Sequence, residues 1–374
     1  MSQIKALTGL RAVAAVWVVL FHYRGDIVTL VPAAGGASGL MDSGYLGVDA
    51  FFALSGFVLA YNYADAMARW RWSASRDFLR NRVARVWPVH LVTLHLDLVV
   101  AAVVGALGVT AGGHRRTTSA YLQNLTMTHD WFSDRPSFNS PAWSISAEWA
   151  AYLLCPLLLL VLARVRRPTT ALSVAVAAYA VMMTLFLLFA LPNGNVEHAG
   201  LLRIAAEFTA GLFLFRVYQA DWPWLRRLAF PLATTLAVVL LAVPASHRGH
   251  YWLAPALGLV VLALARDAGP LGRLLSTRSF VFWGEVSYCL YMSHVLVRPG
   301  LVQLADPADL ADAPWWQRLL VLTLYAAALA AAAVALHLGV EVPARRLLRA
   351  RRAATPPATP VPELAPAGCP PLRD

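Results

Sequence analysis

Apolar stretches long enough, or nearly long enough, to cross a bilayer recur about ten times along this chain, and no other feature limits its fold so strongly. They lie at approximately 6–23, 45–63, 88–108, 143–163, 169–191, 201–218, 229–244, 251–266, 279–298 and 317–340. Hydrocarbon offers no water to the backbone, so each stretch must close its hydrogen bonds internally, as a helix. The chain is 59% hydrophobic and 14% charged, where a soluble domain runs at about 45–50% and about 25%. The expected fold is an all-α polytopic membrane protein, a bundle of about ten transmembrane helices.

The connections between these stretches separate by charge. Arg69, Arg71, Arg76, Arg80, Arg82 and Arg85 lie between the second and third; Arg164, Arg166 and Arg167 follow the fourth; Arg216, Arg226 and Arg227 follow the sixth. Arg266, Arg273 and Arg278 follow the eighth, and Arg345, Arg346, Arg349, Arg351 and Arg352 the tenth. Every second connection is Arg-rich, which by the positive-inside rule places these segments and both termini in the cytoplasm. A multi-pass protein of the inner (cytoplasmic) membrane is expected. The alternate connections, 24–44, 109–142 and 299–316, are rich in Gly, Ser, Asn, Asp, Pro and aromatic residues and should face outward.

The net charge of +11 follows from this pattern and from no basic-aromatic nucleic-acid module. Cys155, Cys289 and Cys369 show neither metal-ligand nor CxxC spacing, so no disulfide framework and no metal are expected. Arg11 inside the first apolar run favours a retained helix over a cleaved signal peptide. The organisation expected is a membrane domain over 1–348 and a tail over 349–374, basic and then Pro/Ala-rich, disordered in the cytoplasm.

The first stretch carries the strongest functional signal. In ALTGLRAVAAVWVVLFHYR, Arg11 and His22 are eleven residues apart, about 1100° of helix and within roughly 20° of three whole turns. Both side chains then share one face, roughly 16 Å apart along the axis. Polar groups aligned on one stripe of a membrane helix face a cavity, a ligand or a partner rather than lipid. The second stretch, GYLGVDAFFALSGFVLAYNY, offers Gly44, Gly47 and Gly56 for close helix approach and carries Asp49 near its outer end, within possible reach of His22.

The ordered set of segments resembles the integral-membrane O-acyltransferases of acyltransferase family 3. The resemblance rests on GLRAVAAVWVVLFHY with its Arg-x10-His spacing, GYLGVDAFFALSGFVLAY and FLRNRVARVWPVH. It continues through PAWSISAEWAAYLLCP, LLRIAAEF-TAG, GEVSYCLYMSHVLV and the terminal VEVPARRLLR, and so covers Leu7 to about Leu348. The resemblance implies acyl transfer from a cytoplasmic acyl-CoA, commonly acetyl-CoA, to a hydroxyl on a carbohydrate or related acceptor. Acyl-CoA is then a donor substrate, with no permanently bound cofactor.

His22 is the candidate catalytic residue. A hydroxyl attacking a thioester must lose its proton, and neutral imidazole suits that task near pH 7; an acyl-histidine intermediate is the other role open to it. Arg11 is a candidate for donor phosphate or for charge developing on the thioester oxygen, against the plainer reading of a positive-inside anchor. Arg82 and Arg85, three apart, share a face if helical and suit the phosphates of CoA, as the resemblance implies. Glu148 is a candidate to orient His22 or hold an acceptor hydroxyl, with helix capping as the competing role. Asp26, four residues after His22, is a second candidate for the orienting role.

Arg203 and Glu207 are placed to pair within the sixth helix, as a structural salt bridge. Ser287, Tyr288, Tyr291, Ser293 and His294 form a polar stripe that either lines an acceptor or acyl tunnel or bonds neighbouring helices. Glu341 and Pro343 are expected to set a helix end. The acceptor expected is a carbohydrate, cell-surface glycan or glycolipid, with a glycosylated secondary metabolite such as a macrolide as the alternative. A glycan transporter or flippase, which would consume no thioester, is the reading from another class.

Overall fold

A computed structural model describes residues 4–106, 115–132, 136–188, 196–242, 251–266 and 269–350. Among the described residues the chain is helical and contains no strand. The main helices are α1 (Lys5–Leu30), α2 (Leu46–Tyr63), α3 (Trp72–Ala106), α4 (Trp143–Arg164) and α5 (Pro168–Leu188). They continue as α6 (Val196–Gln219), α7 (Ala229–Ala242), α8 (Ala254–Arg266), α9 (Arg278–Leu304) and α10 (Trp315–Leu336). Asp134, Cys369 and the tail beyond residue 350 lie outside the described residues.

Each expected apolar stretch coincides with one of these helices, but their number as membrane spans is revised. Among the described residues, 7 helices are long and apolar enough to cross a bilayer. The three that fall short do so for different reasons. α6 is 24 residues long but carries charges along its length. α7 and α8, at 14 and 13 residues, are shorter than the ~20 residues that cross a ~30 Å hydrocarbon core.

α3 extends in the other direction. Its 35 residues span roughly 50 Å at ~1.5 Å per residue. Arg76, Arg80, Arg82 and Arg85, expected in a connecting loop, therefore lie in the first part of a helix, with Arg82 and Arg85 within two turns before the internal Pro88. Proline is missing the N–H that the Ala84 carbonyl would accept, so the helix is loosened just above the arginine-bearing turns.

α2 is the centre of the bundle, with most of its length buried. It crosses α6 at backbone contact: a methyl group on Gly56 would overlap the Phe208 carbonyl, and one on Gly211 the Ala53 carbonyl. α1 crosses α9 in the same way, with Gly284 under the Thr8 carbonyl. Small residues at such crossings let backbones approach where lipid supplies no hydrophobic drive for association.

The long connection between α3 and α4 folds back onto the bundle. A short helix, Thr118–Leu125, packs along α3, where Trp87 Nε1 donates to the Leu125 carbonyl at 3.1 Å and Asp97 pairs with Arg116 at 2.9 Å. Asn139 Nδ2 then donates to the Met292 carbonyl on α9 at 2.8 Å, anchoring the loop over one end of the bundle.

Candidate active site

Two joined cavities run inward from the arginine-bearing end. The mouth, of about 570 Å³, is bordered by the start of α1, the end of α2, the first turns of α3 and the start of α9. Its charged lining is Arg11, Arg80, Arg82, Arg85 and Arg345, with Glu285 as the acidic member. Beyond it lies a chamber of about 120 Å³, which shares Arg11, Arg82 and Arg85 with the mouth and adds Ser55, Glu148 and Tyr152. Ser287, Tyr288, Tyr291 and Ser144 complete its polar lining.

The arginines differ in how far they are committed. Arg85 is ion-paired with Glu341, which is fully buried. Glu341 also accepts from His337 Nδ1 at 2.8 Å, Cys289 Sγ at 3.3 Å and Arg345 Nη1 at 3.4 Å. It occupies a wide turn of π-helix, His337–Glu341, between α10 and the helix Val342–Ala350. Glu341 thus does more than set a helix end. Ligand atoms of Cys289, His337 and Glu341 lie within 4.8 Å of one another, a spacing a metal could use. Two guanidinium groups already neutralise that carboxylate, so the arrangement is an ion-pair hub rather than a cation site.

Arg11 and Arg82, by contrast, form no ion pair with a described residue. Arg82 lies 5.8–5.9 Å from the ring centroids of Tyr63, Phe78 and Tyr152, and its buried Nε has no hydrogen-bond partner. Two guanidinium groups at the throat are therefore available to an anion.

Glu148 faces the same chamber. Its Oε1 accepts from Ser55 Oγ at 2.7 Å and from Tyr152 OH at 2.6 Å. It sits beyond the first turn of α4, so it is not a capping residue. It does not contact His22 either, which corrects the orienting role expected for it.

His22 lies three helical turns beyond Arg11 on the unbroken α1. Its Nδ1 is 2.9 Å from the Val18 carbonyl and 3.2 Å from His294 Nε2. A carbonyl only accepts, so Nδ1 carries the proton and the neutral ring keeps a bare lone pair at Nε2. His294, expected as a tunnel-lining residue, instead stands directly behind His22. The chamber reaches Tyr291, one turn before His294 on α9. There Tyr291 OH donates to the Pro141 carbonyl at 2.8 Å and shares a 2.8 Å bond with Ser144. Tyr288 OH donates to the Val86 carbonyl at 2.6 Å and Ser287 to the Gly284 carbonyl at 2.8 Å, so the stripe both lines the chamber and bonds its walls.

Two expected partners of His22 are placed elsewhere. Asp49 is forked by Arg203 at 3.1 and 2.6 Å, inside the α2–α6 contact. Asp26 is forked by Arg298 at 2.8 Å on both oxygens. In each case a bidentate guanidinium on a neighbouring helix outcompetes a single imidazole for the carboxylate. Neither aspartate lines the chamber or the mouth. Arg203, expected to pair with its nearer neighbour Glu207, forks Asp49, and Glu207 is buried beside the two.

Three known proteins are similar to this chain in sequence. Acyltransferase MdmB of Streptomyces mycarofaciens is 28% identical over 384 residues, covering 94% of each chain. The putative peptidoglycan O-acetyltransferase YrhL of Bacillus subtilis is 25% identical over 345 residues, 84% of this chain but 51% of its own length. Protein 2 in the picA locus of Rhizobium radiobacter is 30% identical over 152 residues, 39% of this chain and 74% of its own. No solved structure matches. The acyltransferase domain profile of acyltransferase family 3 matches residues 4–338, nearly the whole chain, and this protein belongs to that family.

Proposed function

We infer that the protein moves an acyl group, acetyl in the simplest case, from acyl-CoA to a hydroxyl of a carbohydrate. The observation that carries this reading is the arginine-bordered mouth opening into a narrower polar chamber, with uncommitted Arg11 and Arg82 at the throat. Coenzyme A presents a diphosphate and a 3′-phosphate, and guanidinium forks suit both. Arg82 leads in holding them, with Arg80 and Arg345 at the rim, while Arg85 is held back by Glu341. The positive-inside rule puts this mouth on the cytoplasmic side, where acyl-CoA is found.

The pantetheine arm then threads the chamber past Glu148 and Tyr291 toward His22. At that end the acceptor hydroxyl gives its proton to His22 Nε2 as its oxygen bonds to the thioester carbon. The carbon–sulfur bond breaks and the departing thiolate takes the proton. A carbohydrate acceptor is supported by the name of the Bacillus relative, a putative peptidoglycan O-acetyltransferase.

The test is acceptor-dependent thiol release from acetyl-CoA by the purified protein. Cell-surface glycan and glycosylated small metabolites serve as separate acceptors, with mass analysis of the products. Thiol release with an acetylated product, abolished in His22→Ala, is the expected result. Full transfer by His22→Ala would overturn the reading, and acceptor movement across the bilayer without thiol release would favour a transporter.

A further inference from the structure

The catalytic imidazoles of many hydrolytic enzymes lean on a carboxylate that holds the ring and takes up part of its charge. In this protein the carboxylates within sequence reach of that role are all engaged elsewhere. Asp26 is forked by Arg298, Asp49 by Arg203, and Glu148 accepts from Ser55 and Tyr152. Among the described residues, the one side chain within hydrogen-bond distance of His22 is another histidine, His294, at 3.2 Å.

The proton positions of this pair follow from its surroundings. His294 Nδ1 is 2.6 Å from the Tyr291 carbonyl, which can only accept, so that nitrogen carries the hydrogen. A neutral His294 ring is then bare at Nε2, the atom that faces His22 Nδ1. His22 Nδ1 carries its own hydrogen, because the Val18 carbonyl also faces it. The chain therefore runs in one direction, from His22 Nδ1–H to His294 Nε2 and from His294 Nδ1–H to the Tyr291 carbonyl.

The position of His294 is itself fixed. It is fully buried, and Tyr23 OH donates to its backbone carbonyl at 2.7 Å, tying α9 to α1 one residue from His22. The nearby charges are held in pairs, Arg298 with Asp26 and Arg24 with Asp42 at 2.9 Å, and neither pair forms a hydrogen bond to a ring nitrogen of His22 or His294 among the described residues.

The geometry points to His294 as the positioning residue behind His22, a neutral imidazole doing what a carboxylate does elsewhere. This rests on the acyl-transfer reading with His22 as base. When the acceptor hydroxyl passes its proton to His22 Nε2, the Nδ1 hydrogen shifts toward or onto His294 Nε2. One added proton is then shared by two rings. When the carbon–sulfur bond breaks, the thiolate takes the proton from His22 Nε2 and the Nδ1 hydrogen returns. No other group gains or loses a proton.

Two measurements test this. The first reads ring-nitrogen shifts of histidine-labelled wild-type protein in detergent by ¹⁵N magnetic resonance, assigned with His22→Gln and His294→Gln. The expected result is an Nδ1–H tautomer at both rings and a joint titration, one proton for the pair. An Nε2–H tautomer at His22, or two independent titrations, overturns the proposal even if every variant misfolds.

The second reads thiol release from acetyl-CoA against pH, with any acceptor preparation that the wild type acylates. His294→Leu should lower kcat on the order of 10²-fold with KM for acetyl-CoA unchanged. His294→Gln, whose Oε1 still accepts from Nδ1–H but takes no proton, should fall between and shift the pH profile. If His22→Ala is inactive while both His294 variants keep wild-type kcat and pH profile, the relay fails and the acyl-transfer reading stands. If His22→Ala is fully active, that reading fails first.

Discussion

Asp49 and Arg203 form a bidentate ion pair with both side chains 1% exposed, at 3.1 and 2.6 Å, across the α2–α6 contact. The guanidinium also lies 5.1 Å from the Trp143 ring centroid. The pair is a brace at the centre of the bundle rather than a part of the chamber. Removing one partner of a buried ion pair costs about 3–5 kcal/mol. Asp49→Ala should therefore lower the thermal midpoint in detergent sharply. An apolar double variant, Asp49→Leu with Arg203→Met, should recover much of the loss, measured on the same purified protein.

Arg82 and Arg85, both shared by the mouth and the chamber, should separate in donor binding. Arg82 is uncommitted at Nε, whereas Arg85 is ion-paired with Glu341. Arg82→Ala should raise the Kd for coenzyme A about tenfold or more, the size of one charge-assisted contact. Arg85→Ala should change Kd less and stability more, because it leaves the Glu341 carboxylate buried with a partner missing. Calorimetric titration with coenzyme A, beside thermal melts, reads both effects.

Glu148 accepts two hydroxyl bonds on one oxygen in a chamber that also holds Arg11 and Arg82. Glu148→Gln keeps an acceptor for Ser55 and Tyr152 but removes the negative charge. If the charge sets the position of the free guanidinium groups, this variant stays folded and loses transfer by an order of magnitude or more. Wild-type turnover in Glu148→Gln, with loss only in Glu148→Ala, would reduce Glu148 to a hydrogen-bond anchor.

His129, in the loop over the bundle, should make the protein acid-sensitive. It is buried and stacked on His90, with ring centroids 5.6 Å apart. Burial first, and the neighbouring imidazole second, push it down from 6.5 to about 3. Because the folded-state value is depressed, the unfolded chain binds the proton first. Stability is full above about 6.5 and is lost as pH falls toward about 3. At pH 5 the loss attributable to this residue is on the order of 2 kcal/mol. Thermal melts at pH 7 and pH 5 should show a larger drop in wild type than in His129→Gln.

Much of the fold can be read from the sequence because it depends on local physics. Each apolar run had to become a helix, and each did, from Lys5–Leu30 to Trp315–Leu336. Length was read less well where charge and apolarity overlap. The arginines from Arg76 to Arg85 read as a loop because they are polar, yet they begin α3, since helix propensity tolerates arginine well. The candidate site was legible in its parts. Arg11, Arg82, Glu148, Tyr288 and Tyr291 do share one chamber. What misled was proximity along the chain: Asp26 is near His22 in sequence and turns instead to Arg298.

By itself, then, the sequence determined that this chain is a helical membrane protein with alternating arginine-rich connections. Those properties follow from backbone hydrogen bonds and side-chain charge within each segment. Only the tertiary structure decided which polar groups meet. His22 finds His294 from 272 residues away, Asp26 finds Arg298 from 272, and Asp49 finds Arg203 from 154. Such pairings depend on which helix faces close together at glycine crossings like Gly56–Phe208 and Gly284–Thr8. Buried polar groups take the partner that packing brings within reach, and packing is a property of the whole bundle.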